Sequence, residues 1–156
     1  MTLSRAALLV ASTSTLSACS EAAKVRAREG RDRAELGEAV DSYWRGVRWL
    51  RIEDMAPYLA SADDQLAIAR FAASPPLRIT DAAILQVVVD TELVDPRTRP
   101  SLQEVRREGA ALVRVEWFST AGTTLQNETV EQRWYLDGRG WHVDVGRSPL
   151  DPDRPW

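Results

Sequence analysis

Between residues 36 and 50 apolar side chains recur at steps of three and four: Leu36, Val40, Tyr43, Val47 and Leu50, with Ala39 and Trp44 widening the stripe. Glu35, Glu38, Asp41, Arg45 and Arg48 cover much of the remaining surface, so the pattern predicts an amphipathic helix. Asp32-x-x-Glu35 has capping-box spacing, with Asp in place of Ser or Thr, and sets the helix start at that point. The expected helix is about 18 residues, or about 27 Å, long. Gly46 is its weak point and a place where a neighbouring backbone can come close. Two shorter helices should follow. Residues 52–59 carry acids in a first turn and are limited by Pro57. Ser61-x-x-Asp64 then opens a segment with Leu66, Ile68 and Phe71 as its apolar positions, and Ser74-Pro75-Pro76 closes the helical part.

After Pro76 the period changes from 3.6 to 2. In residues 77–94, Ala83, Leu85, Val87 and Val89 fall on one face, and Ile84, Gln86, Val88 and Asp90 on the other. Residues 95–100 read as a loop, and 101–109 stay open between a short helix and a ragged strand. In 111–119, Val113, Val115 and Trp117 alternate with Arg114, Glu116 and Phe118. Ala121-Gly122 turns the chain into 124–136, where Val130, Trp134 and Leu136 share a face. Asp137-Gly138-Arg139-Gly140 is a hairpin turn. Trp141, Val143 and Val145 form the last inward row, before a Pro-rich tail. Helices first and antiparallel strands afterwards predict an α+β fold: an N-terminal amphipathic helix plus short helices packed on a curved antiparallel sheet of about four strands.

The first 18 residues have a different character. Arg5 is their only charge, Ala6-Ala7-Leu8-Leu9-Val10-Ala11 is an apolar run, and small residues precede Cys19. A positive start, an apolar middle and small residues before a cut site mark an export signal. Leu16-Ser17-Ala18-Cys19 resembles the bacterial lipobox. That resemblance implies a mature chain beginning at Cys19, with diacylglycerol on the thiol and an acyl chain on the new amino terminus. Two or three acyl chains would hold a protein firmly on a membrane, since each buried methylene contributes roughly 0.8 kcal/mol. Cys19 is the only cysteine, so no intramolecular disulfide can form. The expected organisation is a signal peptide over 1–18, a lipidated tether over 19–31, a domain over 32–147 and a tail over 148–156. From Lys24 to Arg33 five basic residues face only Glu29 and Asp32, which suits either a weak attraction to anionic headgroups or a solvated spacer. Ser20 after the cysteine, in place of Asp, points to the outer membrane, facing the periplasm.

Charge excludes one broad class. With 20 basic against 23 acidic residues the chain has a net charge of −3, a poor basis for nucleic-acid binding. The single histidine, His142, lies between two inward residues and should point outward beside Asp144. The pair reads either as an oriented general base or as an exposed polar face. One histidine and no free thiolate leave no metal-ligand set beyond carboxylates, and no Gly-rich phosphate loop occurs. Arg97, Arg99, Arg106 and Arg107, interrupted by Glu104 and Glu108, read as a mixed solvated surface. Six tryptophans are many for this length. Tyr43, Trp44, Trp117, Trp134 and Trp141 are the candidates for a pocket or an interface, with core packing as the plainer reading. Trp49 falls off the buried stripe and is the exposed-anchor candidate.

The element order, with the ending Trp-Tyr-Leu-Asp-Gly-Arg-Gly-Trp-His-Val, resembles the nuclear transport factor two-like, cystatin-like superfamily over residues 33–146. That resemblance implies a cone-like domain, sometimes dimeric through its sheet, used by isomerases, dehydratases and non-catalytic binding modules alike. The expectation is a lipid-anchored bacterial envelope protein with a non-catalytic binding domain. It would have no cofactor beyond the acyl chains on Cys19, and its partner would be an envelope protein or a small apolar ligand. A lyase or isomerase working in a cone-shaped pocket, and a structural subunit of an envelope complex, are the alternatives.

Overall fold

The apolar stripe forms one side of a helix, but the helix is twice as long as the pattern predicts. In the computed structural model, which describes residues 14–90 and 107–145 with side chains from residue 23, α1 spans Ser14–Trp49, 36 residues. The tether expected over 19–31 is therefore helical and continuous with the domain. Its Ala, Glu, Lys and Arg residues are good helix formers, opposed only by Gly30. Asp32 is accordingly not a cap. It lies mid-helix, buried, and its carboxylate pairs with the Arg107 guanidinium. Leu36, Ala39, Val40, Tyr43, Trp44 and Val47 make the buried face.

The C-terminus of α1 closes without glycine. Leu50 N–H donates to the Val47 carbonyl at 3.3 Å and Arg51 N–H to the Gly46 carbonyl at 2.9 Å, the two bonds of a Schellman motif. Leu50 occupies the left-handed position at φ 55°, and its side chain packs against the core. The reversal sets helix α2 (Ile52–Met55) directly against Gly46. A Cβ at Gly46 would stand 2.7 Å from Met55 Cγ, so the close approach expected there is realised. A 3₁₀ turn, Ala56–Tyr58, carries the chain past Pro57. Ser61 then caps α3 (Ala62–Ala73) in a full capping box with Asp64. Ile68 and Phe71 are buried, while Leu66 is left exposed.

Four strands follow: β1 (Leu77–Asp90), β2 (Arg107–Ser119), β3 (Leu125–Asp137) and β4 (Gly140–Val143). They form one open antiparallel sheet in the order β1-β2-β3-β4, with the helices packed on it: the α+β class the pattern predicts. In register, Ile84, Val113 and Val130 align across the helix-covered face, as do Val89, Gly109 and Trp134. The simple alternation expected along β1 does not hold. Irregularities between Ile79 and Asp81 and between Ile84 and Gln86 shift the faces, bringing Ile84 into register with buried Val113 on the helix-covered side, where it is still 36 % exposed, and leaving Leu85 half exposed. At the first of them the Thr80 hydroxyl donates to the Glu116 carbonyl at 3.1 Å. Gly109 lets α1 settle onto β2, since a Cβ there would lie 2.5 Å from Leu36 Cδ2. The hairpin turn is Gly138-Arg139, and Gly140 takes a φ of 126° that favours glycine. The loop with Arg97, Arg99 and Arg106, residues 1–13 of the leader and the tail lie outside the described residues.

Candidate functional site

The inner face of the sheet is built from the aromatic residues that the sequence offers as a pocket. Tyr43 and Trp44 come from α1, Trp117 from β2, Trp134 from β3 and Trp141 from β4, and all five are at most 7 % exposed. Tyr43 meets Trp134 edge-on at 5.8 Å and Trp44 at 6.2 Å, and Tyr58 closes over Trp134 at 6.1 Å. These rings fill the face with their own contacts. Burial, and then the negative charge of Asp64, push the Tyr43 hydroxyl well above the usual phenol range, so it stays protonated.

At the centre sits Gln132, which pattern reading passes over. Its side chain is 2 % exposed, and its Oε1 accepts a 2.8 Å hydrogen bond from Trp44 Nε1. Its Nε2 and the indole N–H groups of Trp134 and Trp141 have no hydrogen-bond partner among the described residues. A signal existed: Gln132 lies two residues from both Val130 and Trp134 and so shares their inward face. An amide at this place holds orientation but does not ionise, so it supplies neither acid nor base.

His142 departs from expectation. It is 4 % exposed rather than solvated, with the Asp137 carboxylate of its own hairpin and the Tyr135 ring beside it. His142 Nε2 lies 3.1 Å from Asp137 Oδ1, and Tyr135 lies beside the ring at 5.6 Å between centroids. The partner is thus Asp137 of the turn and not Asp144. Asp137 Oδ1 also accepts the Arg139 backbone N–H at 2.7 Å, and that bond is the main reason its carboxyl lies below the usual aspartate range. The carboxylate fastens the turn, and His142 is one of its two tethers.

Exposed apolar surface collects elsewhere. Trp49, 62 % exposed as its place off the stripe predicts, stands at the end of α1 with the Arg48 guanidinium 5.5 Å above its ring. Arg48 also reaches Asp81 of β1 at 3.5 Å, and Arg45 pairs with Asp41 one turn back. Beside these pairs a groove of about 150 Å³ opens between α1 and β1, floored by Trp44, Ala82 and Ile84. Along β1, Ile84, Leu85 and Val88 are all at least 36 % exposed. On the other face of the sheet a shallow depression of about 160 Å³ lies among Val88, Asp90, Glu108, Glu131 and Arg133.

Among the described residues no group of three or more metal-ligating side chains forms, and no helix is long and apolar enough to cross a membrane. Cys19 falls within the backbone span of α1, and its side chain lies outside the described ones. No family model matches the chain. No curated protein matches it either. Among solved structures it is similar to the intermembrane space region of the chloroplast protein ARC6, with a TM-score of 0.40 and 16% identity over 71% of this chain and 91% of that one.

Proposed function

We propose that this chain is a lipid-anchored bacterial envelope protein whose domain acts by binding a protein partner, not by catalysis. The observation that carries the binding role is the filled inner face. Trp134, Trp141, Trp117, Tyr43 and Trp44 occupy the volume where a cone-shaped pocket would hold a substrate, around an amide that does not titrate. Exposed apolar residues are found instead around Trp49 and along β1, where a macromolecule reaches them, and Leu66 of α3 and Leu125 of β3 are exposed as well. The anchor rests on Leu16-Ser17-Ala18-Cys19, with diacylglycerol on Cys19 and the outer membrane as destination. The succession of long helix, short helices and four-stranded meander agrees with the cone-like superfamily the sequence resembles.

Two measurements test the two halves. In a bacterial host the chain should take up labelled palmitate, and Cys19→Ala should abolish the label; label that persists in the variant removes the anchor. Native mass spectrometry of the gently released protein should give the mass of polypeptide plus acyl chains alone. Additional bound mass of small-molecule size would overturn the filled face and restore the lyase or isomerase reading.

A further inference from the structure

The structure changes the charge balance of the stretch that follows Cys19. In sequence, Lys24, Arg26, Arg28, Arg31 and Arg33 are opposed by Glu29 and Asp32, with Glu21 just before and Glu35 just beyond. In the fold Asp32 is withdrawn: it is buried and its charge is spent on Arg107 of β2. All five cations are exposed on one continuous helix.

Their spacing places them on two flanks. Lys24, Arg28 and Arg31 follow one another at four and three residues along one flank. Arg26 and Arg33, seven apart, share the opposite one. Between the flanks, on the side away from Leu36 and Tyr43, run Ala23, Ala27, Gly30 and Ala34, all exposed. From Ala23 to Ala34 nothing bulkier than a methyl group stands on this strip, and beyond it the same face passes to the exposed acids Glu38 and Asp41. It is therefore the first part of the described helix that can lie close to a flat surface while arginines on both sides reach down to it.

We propose that this face of α1 docks on the anionic headgroups of the phospholipid surface in which Cys19 is anchored, so that the helix lies along the membrane. Complementarity of charge names the partner: a locally positive face on a chain of net charge −3 meets a negatively charged sheet of phosphates. Docking of the whole basic stretch requires the lying orientation. Arg33 is 14 residues beyond Cys19, about 21 Å along a helix, so an upright helix would carry it beyond the reach of the surface potential. The partner rests on the lipid-anchor reading, but the interaction itself is independent of the acyl chains.

The test uses the full chain with Cys19→Ala, which cannot be acylated, and vesicles of phosphatidylcholine with or without phosphatidylglycerol. The affinity of the apolar leader is common to both vesicles and cancels in the ratio of the two partition coefficients. That ratio should be high at low salt, collapse at high salt, and fall by about fivefold for each cation removed in Arg26→Gln/Arg28→Gln/Arg31→Gln/Arg33→Gln. Removing four exposed arginines elsewhere, Arg70, Arg78, Arg114 and Arg139, should leave the ratio near the parent value, and circular dichroism should show both variants folded. Equal partition into the two vesicles, or equal losses in the two quadruple variants, overturns the proposal. With Cys19 replaced, a nitroxide on Ala27→Cys is the only thiol label. It should be shielded from a water-soluble relaxation agent on anionic vesicles, whereas one on Gly138→Cys should not. A chain that takes up no palmitate yet passes this test loses the anchor and keeps the docking face. A palmitoylated chain that fails it loses the docking face alone.

Discussion

At the scale of single residues, α1 contains glycines with opposite roles. Ala is the better helix former by about 1 kcal/mol, because glycine loses more backbone freedom on folding. At Gly37, where an added Cβ would meet nothing within 4 Å, Gly37→Ala should therefore stabilise the protein by about 0.5–1 kcal/mol. At Gly46 the same change drives a methyl group into Met55 Cγ at 2.7 Å, with the Arg51 carbonyl at 3.2 Å behind it. Overpacking of that kind costs about 1–3 kcal/mol, so Gly46→Ala should destabilise in spite of its propensity. Chemical denaturation of the two variants checks both signs. The Asp137 carboxylate gives a second residue-level expectation. Its pKa is held down by the Arg139 backbone N–H first and by the His142 and Arg139 charges after it. A carboxyl depressed in the folded state stabilises fully above its unfolded pKa, near 3.9, and loses that contribution as pH falls through the lower folded value. Hairpin amides at Trp141 and His142 should therefore lose hydrogen-exchange protection in that acid window, and Asp137→Asn should remove the pH dependence.

At the scale of elements, two polar ties between largely buried side chains join α1 to the sheet, besides the exposed Arg48–Asp81 pair: the Asp32–Arg107 ion pair to β2 and the Trp44–Gln132 hydrogen bond to β3. Removing one partner of a largely buried pair leaves the other charge uncompensated, whereas replacing both by apolar groups is often close to neutral. Asp32→Leu and Arg107→Leu should each destabilise by about 2–4 kcal/mol, and the double variant by clearly less than their sum. Additive losses in a double-mutant cycle would show that the pair contributes no coupling. These ties also mark where the sequence ceases to be readable. The stripe of α1, the capping box of α3 and the turn at Gly138 are set by neighbours within a few residues, and periodicity reports them directly. Asp32 meets a partner 75 positions away and Gln132 one 88 away. Local spacing therefore offered Asp32 a cap and passed over Gln132 altogether. The displaced faces of β1 have the same origin. A bulge is a mismatch between two strands, invisible in either alone, and the two in β1 exchange the places expected for Ile84 and Leu85. His142 was misplaced because alternation gives the direction of a side chain but not what folds over it.

For the whole molecule the decisive property is whether the inner face is solid. Trp134 is at its centre, 1 % exposed, touching Tyr43 and Tyr58 through their ring edges and neighbouring Gln132 on the same strand face. If the face is a packed core, Trp134→Ala removes an entire indole from a place the surroundings cannot fully collapse into. The cost should be about 3–5 kcal/mol, the range for deleting a large buried aromatic. The cavity left behind would be lined by aromatic and aliphatic groups, and a largely apolar cavity stays dry and accepts an apolar guest of matching shape. Free indole added to Trp134→Ala should then raise its thermal midpoint, in proportion to the logarithm of indole concentration above the dissociation constant, and leave the parent protein unchanged. The control separates the alternatives. A face with room for a substrate would let indole stabilise the parent as well, and Trp134→Ala would cost far less because its indole would lose fewer contacts. Rescue confined to the variant identifies a domain whose interior is fully used in holding itself together, so that recognition must take place on its surface.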